Sequence, residues 1–125
     1  MRLFAFFISL LISVNFADAE TYKCSAVSGM EGILVEDPYR PSNDKIPNML
    51  LKTNGDVAIV IIGKREPELY SLVAETKVRL IYQWHDIGWL HTVYLDKSAT
   101  KPLIYYNMID PAGFRVVYNY ECSVN

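Results

Sequence analysis

Phe114-Arg115-Val116-Val117-Tyr118-Asn119-Tyr120-Glu121-Cys122 is the stretch on which the fold turns. Its even positions are Phe, Val, Tyr, Tyr and Cys, and its odd positions are Arg, Val, Asn and Glu. A period of two is the period of a strand, so this segment reads as a half-buried strand with its cysteine on the apolar face. Near the other end of the chain, Tyr22, Cys24 and Ala26 alternate with Thr21, Lys23 and Ser25 in the same way. The chain has 2 Cys, and these are they. Two cysteines allow one intramolecular pairing, so a Cys24–Cys122 disulfide is expected, with the first and last strands as neighbours in one sheet. The chain-entropy account gives such a bond roughly 4–5 kcal/mol when the closed loop is near 100 residues.

Between these ends the chain reads as more strands. Met49–Thr53 and Asp56–Ile62 flank Asn54-Gly55, a strong hairpin signal because the turn needs positive φ. Val57–Ile62 is apolar throughout, which predicts a central strand or one covered on both faces. Leu69–Ala74, Lys77–Trp84, Trp89–Leu95 and Leu103–Ile109 follow. Asp110-Pro111-Ala112-Gly113 is turn chemistry leading into the last strand. Ser28–Asn48 holds Pro38, Pro41 and Pro47 and predicts a long loop with one strand at Gly32–Glu36. The sum is an all-β domain of about eight short antiparallel strands, a meander closed into a barrel, with a β-sandwich as the alternative.

Composition narrows the function. The chain has 125 residues, 51% of them hydrophobic and 21% charged, with a formal net charge of -2. Disorder needs low hydrophobicity and high charge, and nucleic-acid binding rewards a basic surface, so neither is expected. Met1-Arg2 precedes the uncharged apolar run Leu3–Phe16, and Ala17-Asp18-Ala19 supplies small residues before Glu20. That is the three-part pattern of a signal peptide over residues 1–19, cut between Ala19 and Glu20. The run falls short of the roughly 20 residues that span a bilayer. A secreted or periplasmic domain over residues 20–125 is the expectation, with no membrane attachment after cleavage.

Motifs for chemistry are sparse. There is no Gly-x-Ser-x-Gly elbow, and no glycine-rich phosphate loop that would imply a nucleotide cofactor. Trp84-His85-Asp86-Ile87-Gly88-Trp89-Leu90-His91 carries both histidines of the chain beside an aspartate. If Ile87-Gly88 is a two-residue loop, Trp84 pairs with His91 and the histidines point to opposite sides. A three-residue loop, Asp86-Ile87-Gly88, would put them on one face, as a metal ion requires. The residues best suited to binding are Tyr82, Trp84, Trp89, Tyr94, Tyr105 and Tyr106, all on or beside strands. Inward aromatics of a barrel could hold a small apolar ligand, whereas an outward patch could bind a protein. The expectation is therefore an exported, non-enzymatic domain that binds a protein or envelope partner. A small apolar-ligand carrier is the first alternative, and a metal-dependent hydrolase around His85, Asp86 and His91 the second.

Overall fold

A computed structural model describes residues 19–33, 37–41 and 45–125. The expected leader lies almost wholly in residues 1–18, outside the described residues. Among the described residues there are nine strands and no helix: β1 (Glu20–Ile33), β2 (Asp37–Pro41), β3 (Met49–Asn54), β4 (Val57–Ile62), β5 (Glu68–Glu75), β6 (Arg79–Asp86), β7 (Trp89–Asp96), β8 (Leu103–Ile109) and β9 (Phe114–Val124). β1 and β3 to β9 pair antiparallel in sequence order, and β9 pairs back onto β1. Eight strands thus close into a barrel, which removes the open edges a sandwich would leave. The ninth, β2, pairs with the distal end of β1, on the same side as β3.

Alternation chooses the inner face. Even positions of β4 (Ala58, Val60, Ile62) and β9 (Val116, Tyr120, Cys122) are buried, and Tyr22 and Cys24 of β1 join them. Opposite residues of paired strands share a face, so Cys24 sits directly across from Cys122 with Cα atoms 4.0 Å apart. The disulfide forms there, inside the wall, at the seam where the barrel closes. Such a bond is compatible with an oxidising compartment. One end of the interior is filled by Tyr22, Leu51, Tyr82, Leu95 and Ile104, all with almost no exposure.

Three expectations change. Ser28–Asn48 is not one long loop: β1 continues to Ile33, and β2 occupies Asp37–Pro41. Residues 34–36 of the expected Gly32–Glu36 strand lie outside the described residues. The alternation that marks Tyr22, Cys24 and Ala26 is broken by a bulge at Val27, where the pairing passes from Ala26↔Tyr120 to Ser28↔Asn119. One inserted residue moves the inward set from even to odd positions, which erases the period-two signal. Gly29 then faces Tyr118. A Cβ there would overlap Ile46 Cδ1 and lie 2.8 Å from Tyr118 Cδ1, so any larger residue would have to displace those side chains.

The second change concerns the first hairpin. Its loop is Gly55-Asp56, with Asn54 paired to Val57, one residue later than expected. Gly55 takes the positive φ of 61°, and the Asp56 carbonyl accepts the Leu72 N–H at 2.7 Å, tying the turn to β5. The third is β4, which is central, paired with β3 and β5, but buried on one face only: Val57 and Ile59 are exposed on the outside of the single closed sheet.

Candidate functional site

The barrel is filled at one end and hollow at the other. The hollow end is a cavity of about 420 Å³. It opens between the β4–β5 connection, the β6–β7 hairpin and the start of β9. Its walls are the rings of Tyr70, Trp84, His91, Tyr106 and Tyr118, with Val60, Ile62, Met108 and Val116 as aliphatic surface.

Local sequence explains why the mouth holds its shape. In the β6–β7 hairpin the loop is Ile87-Gly88, Asp86 pairs with Trp89, and Trp84 pairs with His91. Gly88 adopts φ 76°, and a Cβ on it would sit 2.7 Å from Pro111 Cγ, so the hairpin tip rests on the β8–β9 turn. Asp110 fixes that turn: its Oδ1 accepts the Phe114 N–H at 2.8 Å, and its carbonyl accepts the Gly113 N–H at 3.1 Å. The third side is the β4–β5 connection. Gly63 N–H donates to the Asn48 carbonyl at 2.8 Å and Arg65 N–H to the Ile62 carbonyl at 3.1 Å. These two bonds hold the connection at the rim, where Arg65, Glu66 and Glu68 line the cavity.

Inside, the rings form a chain around the wall. Tyr70 and Trp84 have centroids 6.1 Å apart, Trp84 and His91 4.6 Å, His91 and Tyr106 6.1 Å, and Tyr106 and Tyr118 5.8 Å. Such spacings are those of interacting aromatic pairs. His91 Nδ1 and the Tyr106 hydroxyl share a hydrogen bond of 2.7 Å. The Tyr120 hydroxyl donates to the Pro47 carbonyl at 3.0 Å. Tyr70 is only 2% exposed and His91 8%. Among the described residues, neither the Tyr70 hydroxyl nor His91 Nε2 has a hydrogen-bond partner. Buried polar atoms are rarely left in that condition, so these two stand out.

Burial sets the protonation of these groups. Desolvation pushes His91 below the ordinary imidazole range; Asp86 opposes this and Arg65 adds to it. Tyr106 is pushed up to about 12 by burial, with Arg65 pulling the other way. Tyr70 is raised further by burial, with Tyr106 and Glu68 adding to the rise. At neutral pH the walls therefore carry no charge, and the charges sit around the mouth.

The six aromatics singled out from sequence divide by direction. Tyr82, Trp84 and Tyr106 point into the barrel, with Tyr82 in the filled end and the other two on the cavity. Trp89 lies at the mouth. Tyr94 and Tyr105 face outward, 42% and 44% exposed, directly opposite one another on β7 and β8. His85 and His91 fall on opposite sides of the ribbon, His85 outside and His91 inside, so the pair cannot share a metal ion. No group of three metal-ligating side chains forms among the described residues.

Arg65 and Tyr70 carry no sequence signal that selects them. Arg65 precedes Glu66-Pro67-Glu68, which reads as solvated connection, and only the Asn48 anchor brings it over the barrel. Tyr70 stands on a strand whose alternation is interrupted by a bulge at Val73. No family model matches the chain, and comparison with curated proteins and with solved structures also finds no match.

Proposed function

We propose that this protein is a binding domain that takes a small ligand with an apolar or aromatic body into the open end of its barrel. The observation that carries this reading is the cavity of about 420 Å³, walled by Tyr70, Trp84, His91, Tyr106 and Tyr118. Ligand sites are concave and mostly apolar, with a few polar groups that fix orientation, and volumes of about 300–1,000 Å³ are usual. The closed barrel supports the reading as well, since its eight paired strands hold the walls at fixed spacing. A binder is favoured over a hydrolase because His85 and His91 face opposite sides of their hairpin. Export to the periplasm or extracellular space fits the leader-like residues 1–19 together with the Cys24–Cys122 bond.

Both tryptophans of the chain line the cavity, so intrinsic fluorescence reports on its contents. Titrating the protein with a neutral aromatic alcohol should give a saturable change in tryptophan emission, with one molecule bound per chain by calorimetry. Val60→Trp, which fills the cavity, should abolish the response while the far-ultraviolet spectrum stays that of a β-protein. A response that never saturates, or one that survives in the filled variant, would reject the cavity as the site.

A second reading rests on a separate observation. Tyr94 and Tyr105 make an outward aromatic pair flanked by Arg79 and Ile81 on one side and Asn107 and Arg115 on the other. Tyr and Arg are enriched among residues that dominate protein interfaces. A protein or envelope partner docking there would lose affinity on Tyr94→Ala and Tyr105→Ala without any change in the cavity.

A further inference from the structure

The cavity's polar groups identify the class of its ligand; this step rests on the binding reading above. We propose that the ligand is a small organic monoanion, a carboxylic acid with an apolar body, whose carboxylate meets Arg65, Tyr70 and His91 while the body lies among the rings.

The argument begins with what these groups can donate. Arg65 is the one Lys or Arg among the described residues lining the cavity, and no carboxylate among them lies within ion-pair distance of its guanidinium. A guanidinium offers five N–H donors and no acceptor. Tyr70 keeps its proton because burial raises it, so its unpartnered hydroxyl is free to donate. His91 is held neutral by burial. In the tautomer in which the Tyr106 hydroxyl donates to Nδ1, the imidazole proton resides on Nε2, the ring atom without a partner among the described residues. Three polar groups from three places in the chain, with Arg65 and Tyr70 donors in either tautomer of His91, thus share one chamber, and Tyr70 and His91 have ring centroids only 6.5 Å apart. What satisfies convergent donors is an acceptor, and a carboxylate accepts with the added strength of its charge.

Charge placement points the same way. The Arg65 charge acts on Tyr70, His91, Tyr106 and Tyr120, which stand on four different strands, β5, β7, β8 and β9. Arg65 lines the same cavity as Tyr70, His91 and Tyr106. Glu68 acts on Tyr70, and Asp86 acts on His91. Arg65, Glu66 and Asp86 are all exposed to water, which screens them alike, and Glu68 is half-buried. These carboxylates at the mouth disfavour ligands with several negative charges, which is why the guest is a monoanion. An amine of the same shape would find Glu66, Glu68 and Asp86 at the mouth, but it would meet Arg65 as a like charge and bring no acceptor for the Tyr70 hydroxyl.

The test uses three probes with one body and three heads: 3-phenylpropionate, 3-phenylpropanol and 3-phenylpropylamine. Each is titrated into the whole protein at about pH 8, where acid and amine are both ionised. Tryptophan emission and calorimetry are the readouts. The carboxylate should bind about tenfold or more tighter than the alcohol, as charged hydrogen bonds do, and the amine should be weakest. Arg65→Gln should bring the carboxylate to within about threefold of the alcohol and leave the alcohol unchanged, since the charge alone is removed. Tyr70→Phe should weaken the carboxylate severalfold while the melting temperature holds. Equal binding of acid and alcohol, tightest binding of the amine, or an Arg65→Gln variant with unaltered preference would overturn the anion assignment while leaving the cavity reading intact. If all three probes fail to bind, the cavity reading falls too, and the assignment with it.

Discussion

Two tyrosines on the inner wall carry hydroxyl groups in opposite circumstances. The Tyr120 hydroxyl donates to the Pro47 carbonyl, while the Tyr70 hydroxyl, at 2% exposure, has no partner among the described residues. The same one-atom deletion should therefore have opposite effects. Tyr120→Phe removes a bond and strands a carbonyl, and should cost about 1–2 kcal/mol of stability. Tyr70→Phe removes an unsatisfied polar group and should be neutral or stabilising by up to about 1 kcal/mol. Urea denaturation of both variants, with unchanged slopes, checks the pair; equal losses would refute the distinction. Stability and function part company at Tyr70, as they do where a site keeps a polar group for a guest. None of this can be read from the sequence, in which the two residues are alike. Hydroxyl partners are set by Pro47, far away in the chain, and by whichever wall happens to face them.

At the scale of strands, legibility depends on regularity. The segments around Cys24 and Cys122 keep strict alternation, and the sequence reading places both cysteines on the inner face and pairs them, as the fold does. The same strand becomes unreadable past Val27, because a bulge changes the phase and Gly29 has no side chain to report which way it faces. Likewise the Ile87-Gly88 loop was one of two options until the register Trp84↔His91 decided between them, and that register decides which histidine is inside. The strand pair β1–β9 is also where the covalent link acts. Replacing Cys24 and Cys122 together with alanine should lower stability by about 2–5 kcal/mol, measured by thermal or denaturant unfolding. The wild-type protein under denaturing, non-reducing conditions should show no free thiol, because the chain has 2 Cys and they are bonded to each other. A double variant as stable as the parent would show that the hydrogen-bonded seam suffices alone.

The whole barrel responds to alkali as one body. Tyr22, Tyr70, Tyr82, Tyr106 and Tyr120 all titrate above the ordinary tyrosine value of 10.0, chiefly through burial. A raised folded value means that these groups add stability fully present below pH 10 and lost as pH climbs through the folded values. The five stand on β1, β5, β6, β8 and β9, so ionising any one of them places a charge in the shared interior. Unfolding followed by circular dichroism should coincide with a steep tyrosinate signal near 295 nm, starting above about pH 10. In a variant whose outward-facing Tyr94 and Tyr105 are both replaced by phenylalanine, a gradual tyrosinate rise with the fold intact would mean that the interior admits hydroxide without opening.

The sulfur bridge across the closing seam has a mechanical consequence. Its anchor points are 98 positions apart in sequence, yet they stand face to face a few residues from either end of the described domain. Force applied by pulling on those ends would run through the bridge and bypass nearly everything between. A tethered single molecule should then extend by only the short tails until the bond is reduced, whereupon the full length of the barrel would pay out.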